Sequence, residues 1–204
     1  MEKSEKSAVG LVVLAAGSAL RFGENKLLAP FRGTPLLRRA LDAVPRERLE
    51  RCAVVTRFAS CEAMARERGF VCLRNDRPDL GQSHSVRLGV EALGKSCGAL
   101  VFLVADQPLL RRESVERLLR AHRDAPERIV VLAHEGRFGN PVLFPQRYYP
   151  ELLSLTGDRG GRALLRAHPE AVLTVEAGAE ELLDVDTAQE LAALERAYPP
   201  GSGR

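Results

Sequence analysis

The feature that most constrains the fold of this chain is a regular alternation of short apolar runs with helical patterns over its first 135 residues. The first run, VGLVVLA at 9–15, is typical of a strand buried on both faces of a parallel sheet. Further strands are predicted at 52–56, 70–73, 99–104 and 129–133. Helices are predicted near 35–44, 60–68, 82–93 and 113–123. The alternation predicts a Rossmann-like α/β domain with a mostly parallel central sheet, which binds ligands at the carboxyl ends of its strands.

The pattern is less regular after residue 135. Residues 138–144 predict a strand or bulged ribbon, followed by a short helix. Asp158 is expected to cap a further helix that ends near residue 167. Short strands are predicted at 172–175 and 182–185.

Two helix starts carry recognisable signals. Thr34 and Pro35 provide an N-cap and a first-turn proline for the helix at 35–44. Thr187 and Glu190 have the spacing of a capping box, which predicts a last helix at the end of the chain. We expect one domain over 9–197, with flexible segments at 1–8 and 198–204.

Composition excludes several classes of function. Lys and Arg total 30 against 27 Asp and Glu, and aromatic residues make up 5% with no Trp. A nucleic-acid scaffold would carry a larger excess of basic residues. A base-stacking platform would carry more aromatic residues. The four Cys and four His have no zinc-ligand spacing, so oxygen atoms must hold any metal. The first apolar run is much shorter than the roughly 20 residues of a membrane span, so we expect a cytoplasmic protein without membrane or nucleic-acid partners.

The loop after the first predicted strand, LAAGSALRFGENK at 14–26, carries the strongest functional signal. Gly17 and Gly23 allow close backbone approach, so the amides of the loop can surround phosphate oxygens. Arg21 and Lys26 add positive charge. The alternative is an ordinary glycine-containing turn with solvated basic residues. The spacing matches neither the dinucleotide-binding fingerprint nor the P-loop of NTPases.

Carboxylates form the second signal. Asp106 follows a buried apolar run, where its carboxylate can hold Mg²⁺ together with nucleotide phosphates. The alternative is that Asp106 only forms a turn before Pro108. In an extended segment, Asp184 and Asp186 share one face, and one of them can complete the metal site. Alternatively, both stabilise the start of the following helix.

Taken together, six segments in this order resemble the MobA-like nucleotidyltransferase family, and within it the molybdenum cofactor cytidylyltransferases. The segments are LAAGSALRFGENK at 14–26, GQSHSVRLG at 81–89, ADQP at 105–108, GNPVLF at 139–144, TGDRGGRALL at 156–165 and DVDT at 184–187. The resemblance implies a three-layer Rossmann-like nucleotidyltransferase fold.

The resemblance also implies roles for individual residues. Arg21, Lys26 and Asp106 would be catalytic, and Asp106 and Asp186 would hold Mg²⁺. The nucleotide would contact Leu14, Ala15, Ala16, Gly17, Ser18, Arg21, Lys26, Gly81, Gln82 and Ser83. The acceptor substrate would contact Asn140, Pro141, Asp158, Arg159 and Arg162.

Two alanines in the loop at 14–26 bear on how the nucleotide is bound. Ala16 belongs to an LAAG sequence, which in the family accompanies CTP, whereas LAGG accompanies GTP. Ala19 stands where the family usually has Ser or Gly, so we expect one hydroxyl contact to phosphate to be missing, for which backbone contacts could compensate. Gln82, Ser83 and Ser85 lie at a predicted helix start, where they would offer hydroxyls, an amide and helix-end N–H groups to the nucleotide or to the second substrate. The alternative is that Ser83 is a simple N-cap.

The implied activity is transfer of CMP from CTP to the terminal phosphate of molybdopterin, with release of pyrophosphate. A molybdoenzyme that receives the product would be a further partner. Guanylyl transfer to molybdopterin and cytidylyl transfer to another phosphorylated acceptor are the alternatives within this chemistry. A non-catalytic chaperone that carries the molybdenum cofactor is the alternative from a different class.

Overall fold

A computed structural model of the protein describes residues 8–17 and 25–199. Its main feature is a seven-stranded sheet, accompanied by a two-stranded hairpin. The strands are β1 Val9–Ala15, β2 Pro30–Phe31, β3 Thr34–Pro35, β4 Arg51–Thr56, β5 Val71–Arg74, β6 Ala99–Val104, β7 Ile129–His134, β8 Arg137–Pro145 and β9 Val172–Glu176. The order of the main sheet is β5-β4-β1-β6-β8-β7-β9, and β2 pairs with β3.

All neighbouring strands in the main sheet are parallel except where β8 is involved. β1 pairs in parallel with β4 and β6, β4 with β5, and β7 with β9. β8 is antiparallel to both β6 and β7. Consequently, the start of β8 lies at the same edge of the sheet as the carboxyl ends of the other strands. The predicted mostly parallel α/β fold is confirmed.

Helices cover both faces of this sheet. They are α1 Leu36–Asp42, α2 Ala59–Glu67, α3 Gln82–Leu93, α4 Arg112–Asp124, α5 Tyr149–Ser154, α6 Arg162–Ala167 and α7 Ala188–Ala197. Alternate residues of β1 belong to opposite hydrophobic clusters, with Leu11 and Val13 in one and Val12 in the other. Helices α1, α2 and α4 contribute to the first cluster, and α3, α5 and α6 to the second. This two-sided burial explains why β1 has no polar alternation.

A smaller cluster lies beside the main sheet. Phe31 of the hairpin, Leu36 of α1, and Leu191 and Leu194 of α7 pack around Val185, which is 1% exposed. The hairpin and the last helix therefore hold the segment that contains the two late aspartates.

Three local predictions were wrong. Thr34 and Pro35 form strand β3, so Thr34 is not the N-cap of α1. The N-cap is Pro35, which makes no side-chain hydrogen bond to the helix. Asp158 does not cap α6, because that helix begins at Arg162 with Gly161 as its N-cap. The strand expected at 182–185 is replaced by the 3-10 helix Ala179–Leu182 and an extended segment. There, the Val185 N–H donates to the carbonyl of Asp106 instead of joining a neighbouring strand.

Two further local predictions, a capping box and a strand, were correct. Thr187 and Glu190 form the expected capping box at the start of α7. Residues 138–144 lie within β8. No helix in the described part of the chain is long and apolar enough to cross a membrane.

Candidate functional site

Two adjoining cavities open at the carboxyl edge of the sheet. The smaller, of about 310 Å³, lies between the end of β1, the end of β5 and the start of α3. The larger, of about 700 Å³, lies between β6, β8 and the start of α6. Five residues line both cavities: Leu14, Gln82, Val104, Asp106 and Asp158. Two bound molecules can therefore approach one another at Asp106.

Lys26 joins two acidic residues that are far apart in the chain. Its ammonium group donates to Asp106 Oδ2 at 2.8 Å, to Asp186 Oδ1 at 2.9 Å and to the Val185 carbonyl at 2.9 Å. Burial opposes the charged form of Lys26, but the two carboxylates outweigh that effect and raise the pKa of the ammonium group. Lys26 is therefore a fixed positive charge in the wall of the smaller cavity, in contact with Asp106, which lines both cavities.

The same carboxylates fit a magnesium ion. Asp106 Oδ1 is buried and has no hydrogen-bond partner among the described residues, so one oxygen remains available to a ligand. Asp106 and Asp186 lie close together, since both contact the Lys26 ammonium group. In the described residues, no three His, Cys, Asp or Glu side chains form a metal cage. This arrangement suits Mg²⁺, which commonly takes one or two carboxylates and completes its shell with water and substrate phosphates.

Asp184 has different surroundings from Asp186. Asp186 lines the smaller cavity, whereas Asp184 lines the larger one. Gln107, which is 1% exposed, donates from Nε2 to Asp184 Oδ1 at 2.8 Å and to the Leu182 carbonyl at 3.3 Å. Removal of water and the nearby charge of Asp106 raise the pKa of Asp184, although Gln107 opposes the shift.

Most residues expected to contact the nucleotide line the smaller cavity. They are Leu14, Ala16, Gly17, Lys26, Gly81 and Gln82. Ala15 and Ser83 are buried and are not among the lining residues. Ser83 is not the N-cap of α3, which is Gly81, and its hydroxyl donates to the Leu80 carbonyl. Ser18, Ala19, Arg21 and Gly23 lie outside the described residues.

Gly81 allows two of the predicted segments to meet. Its φ is +77°, and a Cβ atom there would lie 2.4 Å from the backbone of Gly157. The carbonyl of Gly157 accepts a hydrogen bond from the Ser83 N–H. The loop before α6 thus packs directly on the first turn of α3, which places Asp158 between the two cavities.

The larger cavity combines a basic side with an apolar floor. Arg159, Arg162 and Arg166 line it together with Asn140 and Asp158. Phe102 and Phe144 lie on the floor, with ring centroids 6.2 Å apart in an edge-to-face arrangement. Four of the five predicted acceptor residues therefore line this cavity, whereas Pro141 is buried and is not among the lining residues.

Sequence reasoning missed several polar residues at the site. Asn75 follows β5 and lines the smaller cavity, and Gln107 follows Asp106. Arg166 extends the basic side of the larger cavity from the last turn of α6. The position of Asn75 just after a predicted strand could have identified it as a residue of the site. Nothing in the local sequence indicated that Gln107 would bind Asp184.

Comparisons with known proteins agree with this geometry. Residues 11–172 match the MobA-like NTP transferase domain. The chain is 35% identical over 201 residues to the purine catabolism protein PucB of Bacillus subtilis (strain 168), an alignment that covers 91% of this chain and 95% of PucB.

Solved structures show the same fold. Rv0371C of Mycobacterium tuberculosis H37Rv, crystallised in complex with manganese, is 25% identical with a TM-score of 0.72, covering 93% of this chain and 99% of that one. The nucleotidyl transferase Mth528 of Methanothermobacter thermautotroptrophicus has a TM-score of 0.78 at 23% identity, covering 93% of this chain and 97% of that one. The chain belongs to the MobA-like NTP transferase family and is a nucleotidyltransferase.

Proposed function

We propose that the protein transfers CMP from CTP to the terminal phosphate of molybdopterin. An oxygen of the molybdopterin phosphate forms a bond with the α-phosphorus of CTP, and the bond between that phosphorus and the oxygen bridging to the β-phosphate breaks. Pyrophosphate leaves with the electron pair, and the product is molybdopterin cytosine dinucleotide. The step needs no covalent intermediate on the protein.

The observation that carries this proposal is the meeting of two cavities at Asp106. A triphosphate in the smaller cavity and a phosphorylated acceptor in the larger one would bring their reacting groups to the same carboxylate. Catalysis would then consist mainly of alignment and neutralisation of charge, as in phosphoryl transfer generally.

The protein's own residues supply these effects. Lys26 would neutralise charge on the phosphates, and Arg21 is proposed to act with it. Asp106 and Asp186 would hold Mg²⁺, which neutralises the triphosphate and the departing pyrophosphate when bound. The manganese complex of Rv0371C supports a divalent cation in this family.

The larger cavity supports an anionic, ring-containing acceptor. Arg159 and Arg162 can bind phosphate through paired N–H donors, and Arg166 adds positive charge. Phe102, which is 5% exposed and is backed by the fully buried Phe144, gives this cavity an apolar contact point for a heterocycle. The preference for CTP is supported by the LAAG sequence, in which Ala16 lines the nucleotide cavity.

The test is pyrophosphate release by the purified protein with Mg²⁺, molybdenum-loaded molybdopterin and CTP, GTP or ATP in parallel, repeated without the pterin. We expect release with CTP that depends on the pterin. Preference for GTP would retain the chemistry and overturn the choice of nucleotide. Pterin binding without pyrophosphate release from any nucleotide would overturn the enzymatic proposal in favour of a carrier. Nucleotide binding that ignores the pterin would overturn the acceptor, which a panel of phosphorylated metabolites would then identify.

A further inference from the structure

Phe138 is a large aromatic side chain that the fold leaves exposed near the larger cavity. It is 39% exposed, and among the large apolar side chains that are exposed in the described residues it is the only aromatic one. It lies near the start of β8, at the sheet edge where the carboxyl ends of the parallel strands meet. Single exposed apolar residues are common on protein surfaces, so the position of Phe138 relative to the cavity decides whether it has a role.

The strand pairing places Phe138 on the face of the sheet that carries the larger cavity. Phe138 lies opposite Ala133 of β7, and the side chains of directly paired residues point to the same face. Alternation along β7 puts Ala133 on the same face as Val131. Val131 belongs to the hydrophobic cluster that contains Phe102 and Phe144, which both line the larger cavity. Phe138 therefore shares a face with the floor of this cavity.

Gly139 gives independent support for this orientation. A Cβ atom at Gly139 would lie 2.6 Å from the side chain of Leu182, which packs against the hydrophobic cluster on the other face of the sheet. Neighbouring residues of a strand point to opposite faces, so Phe138 and Asn140 both point away from Leu182. Asn140 lines the larger cavity. Phe138 thus continues, beyond Asn140, the row of β8 side chains that lines this cavity.

The helices leave this end of the face uncovered. Thr174 and Glu176 of β9 pair with Val131 and Ala133 of β7 and therefore lie on the same face. Both are exposed, as Phe138 is. A molecule in the larger cavity can therefore extend over the phenyl ring without displacing a helix.

The position of Phe138 relative to Asp106 fits an acceptor with a phosphate at one end and a ring at the other. Phe102 of β6 pairs with Val142 of β8. Asp106 lies four residues after Phe102, and Phe138 lies four residues before Val142, so antiparallel pairing brings both to the same edge of the sheet. A lateral separation of one to two strands corresponds to roughly 5–10 Å. A phosphate ester bound at Asp106 can span this distance with a short linker between its phosphate and its ring.

We propose that the acceptor site extends beyond the larger cavity to Phe138, whose phenyl ring stacks on a planar ring of the acceptor. The inference rests on the proposed use of a phosphorylated acceptor, and it narrows the acceptor to phosphate esters that carry a planar heteroaromatic ring. Stacking needs only a π face, so this contact selects a ring system rather than one pattern of hydrogen bonds.

The test is isothermal titration, with Mg²⁺ and without nucleotide, of two phosphate monoesters that differ in the ring. Hydroxymethylpterin phosphate carries a planar ring system, and glycerol phosphate carries none. Wild type should bind the pterin ligand more tightly. Phe138→Ala should weaken binding of the pterin ligand about five- to tenfold and change binding of glycerol phosphate by less than about twofold. Phe138→Trp keeps an aromatic face and should bind both ligands within about twofold of wild type.

Leu153→Ala is the matched control. Leu153 is 36% exposed, lies on α5 and lines neither cavity. This variant also removes an exposed apolar side chain, so it should bind both ligands as wild type does.

Four results would overturn the inference. These are equal weakening of both ligands in Phe138→Ala, unchanged binding of the pterin ligand in Phe138→Ala, binding by Phe138→Trp as weak as by Phe138→Ala, and no preference of wild type for the pterin ligand. Because no nucleotide is present, these outcomes are independent of transfer from CTP. Failure of pyrophosphate release would overturn the proposed function and would leave a preference that depends on Phe138 standing.

Discussion

Glu181 provides a sharp test of how the segment carrying Asp184 and Asp186 is held. Its side chain is 2% exposed and accepts hydrogen bonds from the backbone N–H groups of Arg111 and Gly178, each at 3.0 Å, and from the Ser114 hydroxyl. In Glu181→Ala, the two backbone donors cannot rotate toward other acceptors. Both hydrogen bonds are partly buried, and a hydrogen bond to a charged acceptor is worth about 1.5–3 kcal/mol. We therefore expect the free energy of unfolding to fall by about 4 kcal/mol.

For a domain of this size, each kcal/mol corresponds to about 2–4 °C in Tm, so Glu181→Ala should lower Tm by about 8–16 °C in differential scanning calorimetry. Glu180→Ala is the matched control, because Glu180 forms a partly exposed ion pair with Arg111 and should cost at most about 1 kcal/mol. A Tm for Glu181→Ala within 2 °C of that of Glu180→Ala would refute the reasoning.

Three further predictions concern the metal site, the acceptor cavity and the core. Asp106→Asn should reduce pyrophosphate release by about 1,000-fold or more while the circular dichroism spectrum stays unchanged; near-normal Mg²⁺-dependent activity would remove Asp106 from the proposed role. Arg162→Gln should raise the KM for molybdopterin about tenfold and leave the Kd for CTP within twofold; equal changes in both would place Arg162 elsewhere. Burial raises the pKa of the Cys52 thiol from about 9 to about 11. Its folded pKa lies above its unfolded value, so the contribution of the neutral thiol is complete below pH 9 and is lost as the pH rises toward 11. Urea unfolding should then show wild type losing up to about 2–3 kcal/mol relative to Cys52→Ala over that range, whereas parallel pH profiles would contradict this.

The main sheet was predictable because its strands carry their own signal. Strands β1, β4, β6 and β7 each contain a continuous apolar run, and both faces of the sheet are covered by helices. Lys26, Asp106 and Asp186 were identified because each lies next to such a run or in a segment that resembles the family. Topology then brings them to one edge of the sheet, as parallel strands require.

The remaining features depend on contacts between distant parts of the chain. The segment at 182–185 has strand-like residues, but its hydrogen bonds go to Asp106 and Gln107, about 80 positions earlier. Thr34 and Pro35 have a good helix-start pattern, yet pairing with Pro30 and Phe31 draws them into a hairpin. Local propensity is a weak guide wherever such tertiary contacts compete with it.

The two proposed metal ligands are held by different parts of the structure. Asp106 lies two residues after the end of β6, whose residues pack in the clusters on both faces of the main sheet. Asp186 lies after residue 172, where the match to the family domain ends, and its neighbour Val185 packs in the smaller cluster with Phe31 and α7. Lys26 donates hydrogen bonds to both aspartates and is the last residue of the loop that is expected to bind phosphate. The distance between the two carboxylates therefore depends on how α7 and the hairpin pack against the main domain. For this reason Glu181, which does not line either cavity, should affect activity as well as stability, whereas Asp106→Asn should affect activity while the fold stays intact.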